Sequence, residues 1–289
     1  MVDSKLLPTA SPLSRRTFIL GMLTTGYAVA ASPVEDNIIR TDTQGLTAGA
    51  VNIPTATGQI PGYYARPAKS GRFPVVLVIH EAFGVHEHIQ DICRRYAKVG
   101  YLAIAPELFI RQGDVTKHTE IVKIFNEVIS KVPDEQVNSD LDATLTYARK
   151  SLQGHKSLVG AVGYCWGGRA VWEYAYHNPK LTAGLAYYGR VEGMVSDERP
   201  LDPIDFGSEI KVPVLGLYAE KDTSISLDSV ARMQAELNKS GSGSEIIVLP
   251  GVGHAFNSDY RSNYNKAAAE KAWSLGLAWF RKYGMPGIV

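Results

Sequence analysis

The hexapeptide Gly163-Tyr164-Cys165-Trp166-Gly167-Gly168 constrains this chain more than any other stretch. It follows the apolar run 158–162 and precedes a segment with helical spacing, 169–177, so the order reads strand, sharp turn, helix, with a cysteine at the apex. A nucleophile elbow of the G-x-S-x-G type has this layout, here with sulfur in place of the serine oxygen. Glycines flank the apex because so tight a turn leaves little room for neighbouring Cβ atoms. The helix that starts there aims its free N–H groups and the positive end of its dipole at the sulfur. That arrangement favours thiolate and supplies one donor to a developing oxyanion. The alternative is a buried cysteine that merely lets a helix pack on a sheet, and the rest of the chain argues against it.

A chain of 289 residues with 45% hydrophobic content can bury one large core, which fits a single domain over 49–289. Lys and Arg number 30 against 29 Asp and Glu, a balance that gives no electrostatic reason to propose nucleic acid as a partner. Two cysteines make no disulfide framework and lack zinc-ligand spacing, so neither a structural metal nor a cofactor is expected. Cys93 lies in a segment of helical spacing beside Ile92 and Tyr96, and is expected to face the core rather than pair with Cys165.

At the amino terminus, Ser14-Arg15-Arg16-Thr17-Phe18-Ile19-Leu20 resembles a twin-arginine export signal. The apolar stretch 21–31 follows it, with Ala28-Val29-Ala30 as small residues for a cleavage point. That stretch is short for a bilayer span of about 20 apolar residues and carries Thr24, Thr25 and Gly26. Residues 1–31 are therefore expected to be a removed signal that meets the twin-arginine machinery in transit, and 32–48 a mature amino-terminal arm. A periplasmic or secreted protein without stable membrane insertion follows from that reading.

Short strand-like pieces at 50–53 and 59–66, parted by Pro, Thr and Gly, suit an edge hairpin. Residues 74–80 form a continuous apolar, β-branched run of the kind buried on both faces of a parallel sheet. Further strands are expected at 101–105, 157–163, 183–188, 212–218 and 244–249. Helices are expected at 86–99, 134–152, 166–177, 227–239 and 264–283. This alternation predicts an α/β fold with a mostly parallel central sheet and helices on both faces. Residues 200–209 read as a surface loop over the site.

In such a sheet, function gathers at the carboxyl ends of the strands. Those ends carry His80-Glu81-Ala82-Phe83-Gly84, the elbow with Cys165, Glu220-Lys221-Asp222, and Gly253-His254-Ala255-Phe256. The chain order nucleophile, acid, histidine is the order that α/β-hydrolases use. His254 would be the base for the thiol, and Asp222 would hold its ring in the productive tautomer, with Glu220 as competitor for the acid. His86 and His88 lack the spacing of a metal motif and are expected to open a helix near the cleft. Tyr188, with Tyr187, either lines the pocket as a substrate-binding residue or merely ends a strand.

Over roughly 53–283 the sequence resembles the dienelactone hydrolase (carboxymethylenebutenolidase) family. The likeness rests on His80-Glu81-Ala82-Phe83-Gly84, Pro106-Glu107-Leu108-Phe109, Asp140-Leu141-Asp142-Ala143, the cysteine elbow and Gly253-His254-Ala255-Phe256. The resemblance implies an α/β-hydrolase fold and a Cys165-His254-Asp222 triad with Glu81 beside the nucleophile. A carboxylate there disfavours thiolate at rest and could take the thiol proton when substrate arrives. It implies an oxyanion hole from the N–H groups of Trp166 and Ala82, and Arg111 as a holder of a substrate carboxylate. The second arginine that the family carries, four residues after the histidine, is here Ser258; Arg261 is the nearby candidate to replace it. The function implied is hydrolysis of an ester or lactone, carboxylate-bearing or not, through a thioester. A carboxylesterase of other specificity and a non-catalytic, redox-responsive binding protein are the alternatives.

Overall fold

The computed structural model describes residues 38–118 and 120–287. The segment 1–31 expected to be a signal and the start of the expected arm lie outside the described residues. The chain opens with the hairpin β1 (Leu46–Thr55) and β2 (Gly58–Pro67), paired antiparallel from Leu46↔Pro67 to Thr55↔Gly58. β1 thus begins inside the segment read as an arm. Thr41, ahead of it, is already anchored by its N–H to Asp91 Oδ1 at 2.5 Å.

Three strand–helix alternations follow: β3 (Phe73–Ile79), α1 (Glu87–Lys98), β4 (Leu102–Pro106), α2 (Asp134–Ser151), β5 (Gly154–Tyr164) and α3 (Trp166–His177). The chain closes with β6 (Ala183–Tyr187), β7 (Val214–Ala219), α4 (Leu227–Ser240), β8 (Glu245–Leu249) and α5 (Lys266–Lys282). Every residue of β3, β4, β6 and β7 is buried, which is why these strands read as unbroken apolar runs rather than alternating ones. Helix ends carry their own signals. Ser226 caps α4 by accepting the Ser229 N–H at 3.1 Å, and Asn265 caps α5 by accepting the Ala268 N–H at 3.0 Å.

The strands form one sheet in the order β1-β2-β4-β3-β5-β6-β7-β8. β1–β2 and β2–β4 are antiparallel and the remaining pairs are parallel. From β3 the chain moves one way to β4 and then returns past β3 to β5, so the strand order reverses at the β3–β5 seam. A crevice opens at the carboxyl ends of the strands where such a reversal occurs. The register Ile79↔Gly163 brings the residues after β3 alongside the elbow after β5.

One segment differs from the sequence reading. Residues 200–209 contain a helical turn, Pro203–Phe206, and a 3-10 turn, Gly207–Glu209, rather than a plain loop. A reciprocal capping box between Asp202 and Asp205, with proline in the first turn, closes the helical turn, and Phe206 is buried beneath it. Residues 115–117 and 121–131, for which no element was expected, form short turns of 3-10, α and π pitch. Pieces this short never complete the repeat that marks a helix in sequence. Both cysteines are free thiols, and Cys93 is fully buried, with burial pushing its thiol well above the ordinary range and leaving it inert.

Candidate active site

Cys165 sits between β5 and α3 with φ 56° and ψ −113°, a left-handed conformation that a side chain normally avoids. Its N–H donates to Tyr187 O at 3.0 Å, and its carbonyl accepts the Gly168 and Arg169 N–H groups at 3.0 and 3.3 Å. The strained turn is thus clamped on both sides. A Cβ on Gly163 would lie 2.0 Å from Gly167 O, and one on Gly167 would lie 2.3 Å from Ile79 O. The elbow therefore exists because glycine lets the start of α3 touch the backbone of β3. Tyr188 (φ 37°) and Ala255 (φ 61°), next to His254, are also held at positive φ. Strain of about 1–3 kcal/mol per residue is thereby concentrated where the side chains converge.

Asp222 follows β7 and His254 follows β8. His254 Nδ1 lies 2.6 Å from Asp222 Oδ2. The other carboxylate oxygen, Oδ1, accepts the Ser224 N–H at 2.8 Å, the Ser224 hydroxyl at 2.6 Å and the Ile225 N–H at 3.1 Å. The Cys165 thiol is near enough to the same ring to act on its charge. Burial works against a charged His254, but Asp222 and Cys165 outweigh it and raise the ring from 6.5 to about 10. Burial likewise opposes an ionised Asp222, and the His254 charge with the hydrogen bonds of His254 and Ser224 holds it below the ordinary value. The environment thus favours the protonated imidazole. Glu220, the competing acid, is exposed and accepts the Gly251 N–H at 2.8 Å, away from this pair.

Glu81 is buried (3% exposed) and turned toward a second cluster. Its Oε1 lies 3.2 Å from His86 Nε2, and its Oε2 accepts the Ser258 hydroxyl at 3.2 Å. Burial pushes the carboxyl up; the His86 hydrogen bond and the fields of His86, His88 and Arg261 overcome this and hold it low. In this conformation both Glu81 oxygens are engaged away from the thiol. Ser258, where the resemblance led to an arginine being expected, takes up the carboxylate directly. Arg261 lies over the rings of Phe83 at 4.3 Å and Tyr260 at 4.2 Å, close enough to feel Glu81. The Tyr188 ring packs 5.1 Å from that of His254, and burial, then the Glu81 charge, pushes its phenol up. Ala82 and Trp166 are buried at the ends of β3 and the elbow. As the first residue of α3, Trp166 has an N–H with no acceptor inside the helix.

Arg111 is placed differently from its expected role. Its guanidinium forks onto Asp140 of α2 at 2.6 and 3.0 Å and donates to Thr55 Oγ1 at 2.7 Å. Asp140 is 2% exposed, and a carboxylate buried so deeply needs a cation. The fork that was to hold substrate is occupied in tying α2 to β1. Three supports escaped the sequence reading. Ser224 fixes Asp222 through an Asx-type turn, for which D-x-S was the available signal. Asn263 Nδ2 donates to His254 O at 3.1 Å. Asp259 joins His88 and Arg95, bracing the His254 loop against α1, and no local signal marks pairs so distant in sequence. His86 and His88 do stand at the start of α1, as expected.

A mostly parallel sheet with a nucleophile elbow at its switch point, backed by an acid and a histidine on successive strand ends, defines an α/β-hydrolase. Residues 60–284 match the model of the dienelactone hydrolase family. A "putative carboxymethylenebutenolidase" of Methylorubrum extorquens is 47% identical over 284 residues, covering 98% of each chain. One of the same description from Escherichia coli is 46% identical, covering 90% of this chain and 96% of the relative. The crystal structure of a "putative dienelactone hydrolase" from Klebsiella pneumoniae superposes with a TM-score of 0.80 at 46% identity, over 82% of this chain and 99% of that one. The chain belongs to the dienelactone hydrolase family, and is a hydrolase of that type.

Proposed function

We propose that this protein hydrolyses lactones or esters, enol-lactones of the dienelactone type foremost, by nucleophilic attack of Cys165. The observation that carries the reading is the His254–Asp222 pair, 2.6 Å apart, beside the strained elbow that presents Cys165. His254 takes the thiol proton, sulfur attacks the carbonyl carbon and the carbonyl electron pair moves onto oxygen. The resulting oxyanion is held by the N–H groups of Ala82 and Trp166. Collapse expels the enolate or alkoxide oxygen, which takes the imidazolium proton and leaves a thioester on Cys165. The now neutral imidazole removes a proton from water; hydroxide adds to the thioester, and the acid departs as sulfur regains its starting state. Good enolate leaving groups suit sulfur, because a poor one would be expelled less readily than the thiolate itself.

Arg261 is the cation at hand for a substrate carboxylate, since the Arg111 fork is occupied. Trapping with p-nitrophenyl acetate tests the reading. A burst of p-nitrophenol and an intact mass increased by one acetyl group, both lost in Cys165→Ala, are expected, whereas undiminished turnover by Cys165→Ala would remove the nucleophile. We also propose export through residues 1–31. Periplasmic recovery of the shortened chain, abolished by Arg15→Lys with Arg16→Lys, supports it, and recovery of the full-length chain in the cytoplasm of wild-type cells overturns it.

A further inference from the structure

We infer that His80 is a positioning residue that sets the oxyanion hole, an inference that rests on the assignment of Ala82 and Trp166 as its donors. His80 follows β3 and is fully buried (0% exposed). Its Nδ1 lies 2.7 Å from Glu81 O, and the Leu108 N–H donates to its Nε2 at 3.1 Å. A backbone N–H can only donate and a carbonyl oxygen can only accept, so these neighbours assign the tautomer. Nε2 is the acceptor, and Nδ1 carries the proton and donates to Glu81 O. Glu107 Oε1, 3.4 Å from Nε2, is too far to compete well, and its other oxygen accepts the Val85 N–H at 2.7 Å.

The carbonyl so held belongs to the peptide unit whose nitrogen is that of Ala82. In a trans peptide the C=O and N–H point in opposite directions, and the described residues contain no cis peptide. Pinning Glu81 O therefore fixes the direction of the Ala82 N–H. The same ring lies parallel to that of Trp166, with centroids 5.7 Å apart and planes 16° apart, and meets the Phe109 ring edge-on at 4.5 Å. One imidazole thus holds the peptide of one donor and packs against the side chain of the residue that carries the other. It takes no part in proton transfer.

Two substitutions separate its two bonds. His80→Asn keeps a donor near the position of Nδ1, and His80→Gln keeps an acceptor near that of Nε2. The full-length chain is assayed for acylation by p-nitrophenyl acetate and for alkylation of Cys165 by iodoacetamide, a displacement that forms no oxyanion. His80→Gln is expected to lower the acylation rate constant by about 10- to 100-fold, part of what removal of a whole oxyanion donor costs. KM and the alkylation rate should stay within about twofold, and His80→Asn should acylate within about threefold of wild type. Equal losses of acylation and alkylation, or acylation by His80→Gln at the wild-type rate, would overturn the inference. If His80→Gln does not fold, His80→Asn decides alone, and a loss of acylation beyond tenfold with alkylation unchanged counts against the Nδ1 bond. Failure of the wild-type protein to form an acyl-enzyme is a different result and refutes the Cys165 reading itself.

Discussion

Replacing Asp222 by asparagine changes one atom and, on this geometry, reverses the histidine it holds. Asp222 Oδ1 accepts from three donors, Ser224 N–H, the Ser224 hydroxyl and Ile225 N–H. An amide placed there must keep its oxygen on those donors, so its NH2 group takes the place of Oδ2 against His254 Nδ1. The ring then accepts at Nδ1 and carries its proton on Nε2, and cannot take the proton of a neutral thiol. Charge is lost at the same time. The rise of His254 from 6.5 to about 10 corresponds to about 5 kcal/mol in favour of the protonated ring. After burial, which opposes it, the Asp222 charge is the leading cause. Losing that charge weakens the imidazolium that forms when the thiol gives up its proton. Tautomer reversal carries the total toward about 10³- to 10⁴-fold in acylation. Stopped-flow release of p-nitrophenol measures it, with thermal melting to show that Asp222→Asn is folded. Acylation within fivefold of wild type would refute the orienting role of Asp222 and the amide placement together.

Arg111→Met should leave the buried Asp140 without its cation and cost about 3–5 kcal/mol in urea unfolding. It should leave unchanged the ratio of kcat/KM for carboxylate-bearing and neutral esters, and a selective rise of KM for the former at unaltered stability would restore Arg111 to the substrate. Acid stability is expected to depend on the brace behind the His254 loop. Burial would raise the Asp259 carboxyl, but His88 and Arg95 hold it below 3.8. Its contribution is therefore present above the unfolded value near 3.8 and lost as pH falls through the lower folded value, where unfolding takes up a proton. Asp259→Asn should reduce the slope of unfolding free energy against pH below about 4 by up to about 1.4 kcal/mol per unit, and an unchanged slope in urea titrations would contradict it.

What could be read along the chain was local, or repeated with a short period. The apolar runs of β3, β5 and β7, the helical spacing of α1 to α5 and the G-Y-C-x-G-G turn each depend on near neighbours. They yielded the α/β order, the elbow and the loops that bear Cys165, Asp222 and His254. The choice of Asp222 over Glu220 was also within reach, because depth in a loop bears on which carboxylate meets the ring.

Tertiary structure decided which polar groups meet across distance in sequence. Arg111 was expected at the substrate from the resemblance; Asp140, 29 residues away, claims it only once α2 packs beside β1. Glu81 looked like a partner of the thiol, yet His86 and Ser258, the latter 177 residues on, hold both its oxygens. The tautomer of His80 depends on Leu108 N–H, which reaches it only when β4 lies against β3. The physical reason is range: backbone conformation and burial pattern are set over a turn or a strand, whereas a buried charge or imidazole is defined by whichever donor or acceptor the fold brings within about 3 Å.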